Sequence, residues 1–261
     1  MNKAALFFQL WLTAALAAAN WNVPLVGMAR DTKNQLHPVY GVAGSFVLRG
    51  PLSGNVLNWA FDASGGLLQT DGEISVLDAR GIVVERRAAP AMKVILGPRY
   101  AFFTKTGELW PAGASAGGST VIEATAIAGR VIALGPADQH GIVVAACRGN
   151  QLWLLTFGIK DGALKHESAP GGPAGEQACA DPGALLVLGD RLLLAAAHEI
   201  VIQMAAGHER RVPIPPNHGA RIHRAGEDTV QIEVPGLPSQ LMRITAEGER
   251  LYEMPAAEAR P

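Results

Sequence analysis

The chain has little of what usually marks a specific chemistry. Its 261 residues include 2 cysteines, and 6% are aromatic. Lys and Arg total 22 against 23 Asp and Glu, a formal charge of −1, so no cationic surplus exists to hold a polyphosphate backbone by counterion release. Nucleic acid is therefore not an expected partner. After residue 20 no apolar run reaches the roughly 20 residues needed to cross a bilayer. Beyond that point there is also no long apolar stripe at a spacing of about 3.6 residues, so helices have little room. What remains is 49% hydrophobic with 30 Gly and 17 Pro, the composition of a compact, turn-rich protein able to bury a sizeable core.

The first residues read as an address. Met1-Asn2-Lys3 is followed by an apolar stretch at 4–16, broken only by Gln9 and Thr13, and then by Ala17-Ala18-Ala19, the small-x-small pattern of a signal peptidase site. Residues 1–19 are expected to be a signal peptide cleaved near Asn20, leaving a periplasmic or secreted chain with no transmembrane span. In an oxidising compartment Cys147 and Cys179 can close a loop, and their spacing leaves a disulfide and two separate buried thiols both open. With no Cys-x-x-C, redox catalysis has no motif.

The strongest signal is an internal repeat. A turn residue, then Glu or Gln, then Ile or Leu, then alternating apolar positions recurs five times: Gly72-Glu73-Ile74, Gly107-Glu108-Leu109, Asn150-Gln151-Leu152, His198-Glu199-Ile200 and Ser239-Gln240-Leu241. The acidic or amide positions fall at 73, 108, 151, 199 and 240, a mean spacing of about 42 residues, the length of a four-stranded propeller blade. Before each phrase lie two apolar runs, at 56–61 and 66–70 in the first unit, and after it a Gly-containing turn and a run of alternating polarity at 81–86. Pro51, Pro90, Pro170, Pro215 and Pro255 close successive units, where a residue without an N–H ends a strand.

The pattern predicts an all-β β-propeller of about five four-stranded blades, with six blades or a sandwich or barrel as alternatives. Residues 20–43 read as an irregular N-terminal segment, 44–255 as one propeller domain and 256–261 as a loose tail. The run at 44–50 is a further strand, able to pair with the last blade or to begin a degenerate extra one. Segment 169–183, rich in Gly and Pro, reads as a loop.

Catalytic patterns fail one by one. Gly113-Ala114-Ser115-Ala116-Gly117 has the spacing of a nucleophile elbow, but a strand-like run follows where a helix is needed. His198-Glu199 and His208-Glu209 are followed at the zinc-pair position by Ile202 and Val212. His208, His218 and His223 form the only histidine cluster, at a spacing that matches no closed metal site, and read as surface residues. No phosphate-binding glycine loop is present, and no metal or other cofactor is expected. Asp62, Asp71, Asp138 and Asp161 sit in turns, where Asp bonds its own backbone. Trp110 and Trp153 are expected to pack between sheets.

The unit from Val56 to Pro90 carries Phe61-Asp62, the hairpin Thr70-Asp71-Gly72-Glu73-Ile74 and the turn Asp78-Ala79-Arg80-Gly81. It resembles a blade of secreted bacterial β-propeller proteins of uncharacterised function. The Trp-Asp ends of WD40 blades, the Tyr-Trp-Thr-Asp phrase of receptor propellers, the Asp-box of sialidases and the tryptophan-docking phrase of quinoprotein dehydrogenases are missing, so no functional residue carries over. A rigid ring of blades whose loops can vary without disturbing the core points to an exported, monomeric, non-catalytic scaffold that binds another protein, a cell-envelope component or a small ligand, with a purely structural envelope role as a further reading. The hairpin-turn residues Asp71, Lys105, Arg148 and His198 are the candidate binding residues. The alternative is a lactonase- or lyase-like enzyme with its site at the channel mouth. Against it, the predicted inner strands at 56–61, 92–97, 130–135 and 184–189 contain no carboxylate.

Overall fold

The computed structural model describes residues 23–42, 45–89, 93–112, 119–122, 124–136, 141–169, 173–188, 191–204, 208–216, 219–245 and 247–254. The expected leader at 1–19, the serine pattern at 113–117, Pro90, Asp138, Pro170, His218 and the tail from Pro255 onward lie outside them. Among the described residues no helix is long and apolar enough to cross a membrane.

An N-terminal sheet is formed by β1 (Leu25–Arg30), β2 (Leu36–Val42) and β3 (Ser45–Leu48). Blade 1 holds β4 (Asn58–Asp62), β5 (Gly65–Thr70), β6 (Gly72–Asp78) and β7 (Val83–Ala89); blade 2 holds β8 (Val94–Leu96), β9 (Tyr100–Phe103), β10 (Glu108–Pro111) and β11 (Thr120–Val121). The short helix α1 (Ala124–Ile127) leads to blade 3, which holds β12 (Arg130–Pro136), β13 (Gly141–Arg148), β14 (Gln151–Gly158) and β15 (Leu164–Ser168). Helix α2 (Pro173–Ala180) precedes blade 4, which holds β16 (Leu185–Leu188), β17 (Arg191–Ala195), β18 (Glu199–Met204) and β19 (Glu209–Pro213). Blade 5 holds β20 (Arg221–Arg224), β21 (Thr229–Glu233), β22 (Gln240–Thr245) and β23 (Gly248–Glu253). Every blade runs antiparallel in chain order, and together the sheets form a β-propeller.

Burial follows from position in the ring. The second strands β5, β13 and β21 are buried almost throughout, because neighbouring sheets cover both their faces. The fourth strands face solvent on one side: in β7, exposed Val84, Arg86 and Ala88 alternate with half-buried neighbours. The repeated phrase opens each third strand, and its carboxylates tie that strand to a fourth strand. Glu73 accepts a bond from Arg86 at 2.7 Å, Glu108 from Arg87 of the preceding blade at 2.7 Å, and Glu199 from Arg211 at 2.6 Å.

The inner strands β4, β8, β12, β16 and β20 stand side by side around the axis, and β20 returns to β4. Close approach sets some residues here: a Cβ on Gly135 of β12 would lie 2.4 Å from Val187 Cγ1 of β16. The five predicted units are therefore the five four-stranded blades, but the blade count is six. Residues 25–42, expected to be irregular, supply the missing two strands and join the strand from 45 in a three-stranded sixth blade. The polar run that suggested irregularity is only the hairpin turn. Asp31 Oδ1 accepts the N–H groups of Lys33 and Gln35 at 2.9 and 2.8 Å.

This sixth blade is a wedge between blades 5 and 1, with β1 against β21 and β4. Met28 and Ala29 of β1 and Leu36 and Val39 of β2 share a core with Val56, Trp59 and Leu68 on one side and Ala225 and Leu241 on the other. Backbone comes unusually close at the seam, since Met28 N–H donates to Ala225 O at 2.9 Å and a Cβ on Gly27 would lie 2.0 Å from that oxygen. The fully buried Gln231 amide completes the edge of β1 by exchanging two bonds of 2.8 Å with the backbone of Arg30. The Arg30 guanidinium crosses the seam to Glu233 and, at 3.2 Å, to Val56 O.

The segment 169–183 is not wholly a loop. Pro173 sits at the first position of α2, where its missing N–H costs nothing, and the helix buries Ala178 and Cys179. Cys147 and Cys179 are joined by a disulfide, with Cα atoms 5.7 Å apart. The bridge pins α2 to the end of β13. Two outcomes are expected. Replacing both cysteines with Ser should lower unfolding free energy by about 3–4 kcal/mol, the entropy of freeing a loop of this length, as read from denaturant titrations. Gly27→Ala should lower the melting temperature and expose 25–48 to protease first, because its Cβ has no room at the seam.

Candidate functional site

Antiparallel order within each blade places the turns between second and third strands on the same face as the connections between blades. Asp71, Lys105 and His198 lie exposed in three such turns. Arg148 ends β13 at the same level, yet it is committed to the scaffold. Its guanidinium bonds to Glu167, donates to Ile127 O at 3.1 Å and covers the Trp153 ring at 4.6 Å. Asp31, Asp62, Asp78 and Asp161 each accept turn N–H groups, so these aspartates serve their own backbone. Trp110 is buried, as expected of a residue packed between sheets.

On the same face the inner strands open into a channel of about 580 Å³. Its rim is basic: Lys93 just before β8, Arg130 at the start of β12 and Arg221 at the start of β20 are all exposed, with Asp181 as the single carboxylate among the described residues lining the cavity. Arg130 is oriented by a bond to the carbonyl of Cys179, so the disulfide also holds part of the rim. Ile132, Leu134, Leu185 and Ile222 make buried apolar walls.

The wall between β4 and β20 differs from the rest. Trp59 of β4 and His223 of β20 stack with ring centroids 5.4 Å apart and planes 14° from parallel. His223 Nε2 lies 3.4 Å from Glu233 Oε2, within ion-pair range but without a directed hydrogen bond. Beside them Arg224 donates through Nε to Gly226 O at 3.3 Å, and its Nη2 stands 3.9 Å from Asp62 Oδ2. Burial pulls the Arg224 pKa down, and Asp62 and Glu227 oppose that pull. Trp59 Nε1, His223 Nε2 and Arg224 Nη1 are buried and have no hydrogen-bond partner among the described residues. An unsatisfied buried donor costs about 1–3 kcal/mol, and Trp59 Nε1 and Arg224 Nη1 are two such donors.

Of the three histidines expected at the surface, His208 is exposed, whereas His223 is largely buried because Trp59 stacks on its ring. His223 lines the channel, His208 precedes β19 of another blade, and His218 lies outside the described residues. No group of three or more His, Cys, Asp or Glu side chains suited to a metal occurs among the described residues. The basic rim was missed, although a signal existed: Lys93, Arg130 and Arg221 all stand at or just before the start of an inner strand, a counterpart to the absence of carboxylates there.

The fold defines the chain as a six-bladed β-propeller. No protein-family model matches it, and no curated protein matches its sequence. Among solved structures it is similar to a chain of a nidogen/laminin complex, at 9% identity over 88% of this chain and 93% of that one, with a TM-score of 0.51. It is also similar to the β-propeller domain of Cps50 (Swd1) from Myceliophteria thermophila, at 14% identity over 77% and 72% of the two chains and a TM-score of 0.42. A third is streptogramin B lyase, at 12% identity over 90% and 86% with a TM-score of 0.45. At these identities the likeness is one of fold.

Glu233 gives the seam and the channel wall a common pH dependence. Burial raises its pKa, but the nearby His223 ring and the bonded Arg30 guanidinium outweigh that and hold it at about 2, against an ordinary 4.5. A depressed folded-state pKa means stability present above the ordinary carboxylate range and lost as pH falls through the folded value. Unfolding free energy should therefore drop by an amount on the order of 2 kcal/mol between about pH 5 and about pH 2. Glu233→Gln should flatten that segment of the profile in denaturant titrations.

Proposed function

We propose that the chain is an exported, non-catalytic β-propeller that binds a protein or cell-envelope component, as a monomer, through the face bearing the channel mouth. The observation that carries this reading is the convergence of Lys93, Arg130 and Arg221 from three blades on one rim, beside exposed Asp71, Lys105 and His198. Such a surface suits an anionic partner, because desolvation is modest at exposed side chains and the like charges reinforce one another. A lactonase- or lyase-like site would call for several inward carboxylates or a metal ligand set, and the only carboxylate among the described residues of the cavity lining is Asp181. Export is supported by the leader-like pattern at 1–19 and by the Cys147–Cys179 disulfide, which suits an oxidising compartment.

The test compares wild type with the triple variant Asp71→Ala, Lys105→Ala, His198→Ala, crosslinked in whole cells. One reproducible envelope partner should be captured by wild type and lost from the variant, with melting temperature shifted by less than about 2 °C, as for surface substitutions. Undiminished capture by the variant would reject Asp71, Lys105 and His198 as binding residues, and undiminished capture after Lys93→Ala and Arg221→Ala as well would reject this face as the binding surface. Arg148 is left intact, since its removal would unpair Glu167 and confound folding with binding.

A further inference from the structure

We infer that the cleft between blades 2 and 3, on the face of the channel mouth, is the seat of an extended acidic segment of a partner polypeptide. The inference rests on the reading of this chain as a binding propeller and deepens it by naming the chemistry of the partner's segment. The cleft, of about 370 Å³, lies between the turn that joins β9 to β10 and the residues that open blade 3. Lys93, Lys105 and Arg130 all line it and are all exposed, and no carboxylate is among its described lining residues. Thr106, also in the lining, accepts the Glu108 N–H through Oγ1 at 3.3 Å, which leaves its own hydroxyl proton to donate to a ligand.

Cations gathered without counter-charge repel one another, and the outer strands of this chain avoid that arrangement. There Arg86 meets Glu73 at 2.7 Å, Arg210 meets Glu249 at 3.1 Å and Arg211 meets Glu199 at 2.6 Å. In the cleft the compensating charge has to arrive with a partner. Lys93 and Arg130 line the channel as well, so cleft and channel mouth adjoin, and the basic path continues to Arg221. Cations strung along a path favour several carboxylates on one chain, because each later contact is intramolecular once the first has formed. Leu57, 56% exposed, lines the same mouth just before β4, as Lys93 does just before β8. Covering it is favourable for an apolar side chain of a peptide, a group that an acidic polysaccharide does not carry.

Fluorescence anisotropy of the full chain with labelled hexapeptides tests this. A probe of five Glu and a terminal Leu should bind, more weakly as salt rises, and its counterpart with Gln in place of Glu should bind at least about tenfold more weakly. Lys93→Glu with Lys105→Glu, both at exposed positions, should abolish binding of the Glu probe and gain binding of a probe with Lys in place of Glu. That gain also shows the variant to be folded. Lys160→Ala with Arg250→Ala, which removes exposed cations outside the cleft, should leave the Glu probe within about twofold. No binding of the Glu probe, equal binding of the Gln probe, or Glu binding indifferent to the charge reversal would each overturn the inference. Hexagalacturonate bound more tightly than the Glu probe would overturn the polypeptide assignment. Failure of the peptide with envelope capture still dependent on Lys93 and Arg221 removes the acidic segment and leaves the binding face standing, whereas capture indifferent to those residues removes the face.

Discussion

Sheets that radiate from an axis diverge as they leave it, and this divergence must be filled wherever the chain begins and ends. In this protein β20 meets β4 at the axis, so the inner strands close without help. Farther out the gap between blades 5 and 1 is filled by the wedge of β1–β3, whose apolar residues enter a core shared with both blades. The fastening is polar and local. Met28 N–H reaches Ala225 O, Gln231 pairs with the backbone of Arg30 as a neighbouring strand would, and the Arg30 guanidinium bridges Glu233 and Val56 O. Each of these bonds spans from the N-terminal sheet to a distant part of the chain, so the ring is a cooperative object at this seam rather than a stack of independent blades.

The same seam shapes the channel. Glu233 takes Arg30 on one side and faces His223 on the other, and His223 in turn carries the stacked Trp59. The residues that close the ring are thereby in contact with residues that line its centre. On the opposite side of the axis the disulfide plays a comparable part, since Cys179 is held to Cys147 and its carbonyl orients Arg130 at the rim. Basic side chains at the starts of inner strands stand free of carboxylate neighbours among the described residues of the lining, apart from Asp181, while acidic residues elsewhere are spent on arginines of the fourth strands or on turn backbone. A near-neutral chain thus separates its charge, with cations at the channel mouth and paired ions on the outer strands.

Much of this was legible in the order of residues. The recurrence of Glu or Gln before Ile or Leu located all five four-stranded blades, because a hairpin turn and the apolar period of the strand behind it are local features. The N-terminal blade escaped for an equally physical reason. Its turn at Asp31–Gln35 is polar and Pro38 and Gly41 interrupt the run of β2, so nothing local distinguishes these strands from an irregular segment until Gly27 and Met28 meet Ala225. Helix α2 escaped because its eight residues are mostly small and carry only a weak apolar face, and its stability comes from burying Ala178 and from the bond to Cys147. Arg148 was legible as a turn residue but not as one already engaged, since Glu167 and Trp153 reach it only across a folded blade.

By itself the sequence determined the strands, their hairpins and the all-β repeat, since these follow from periodicity and turn chemistry within some 40 residues of chain. The tertiary structure alone decided the number of blades, the pairing of Cys147 with Cys179, and the meeting of Trp59, His223 and Arg224 in one cavity. Those depend on contacts between residues as far apart as β1 and β21. Such contacts form only when the ring closes, and no local pattern encodes which distant surface a buried side chain will find.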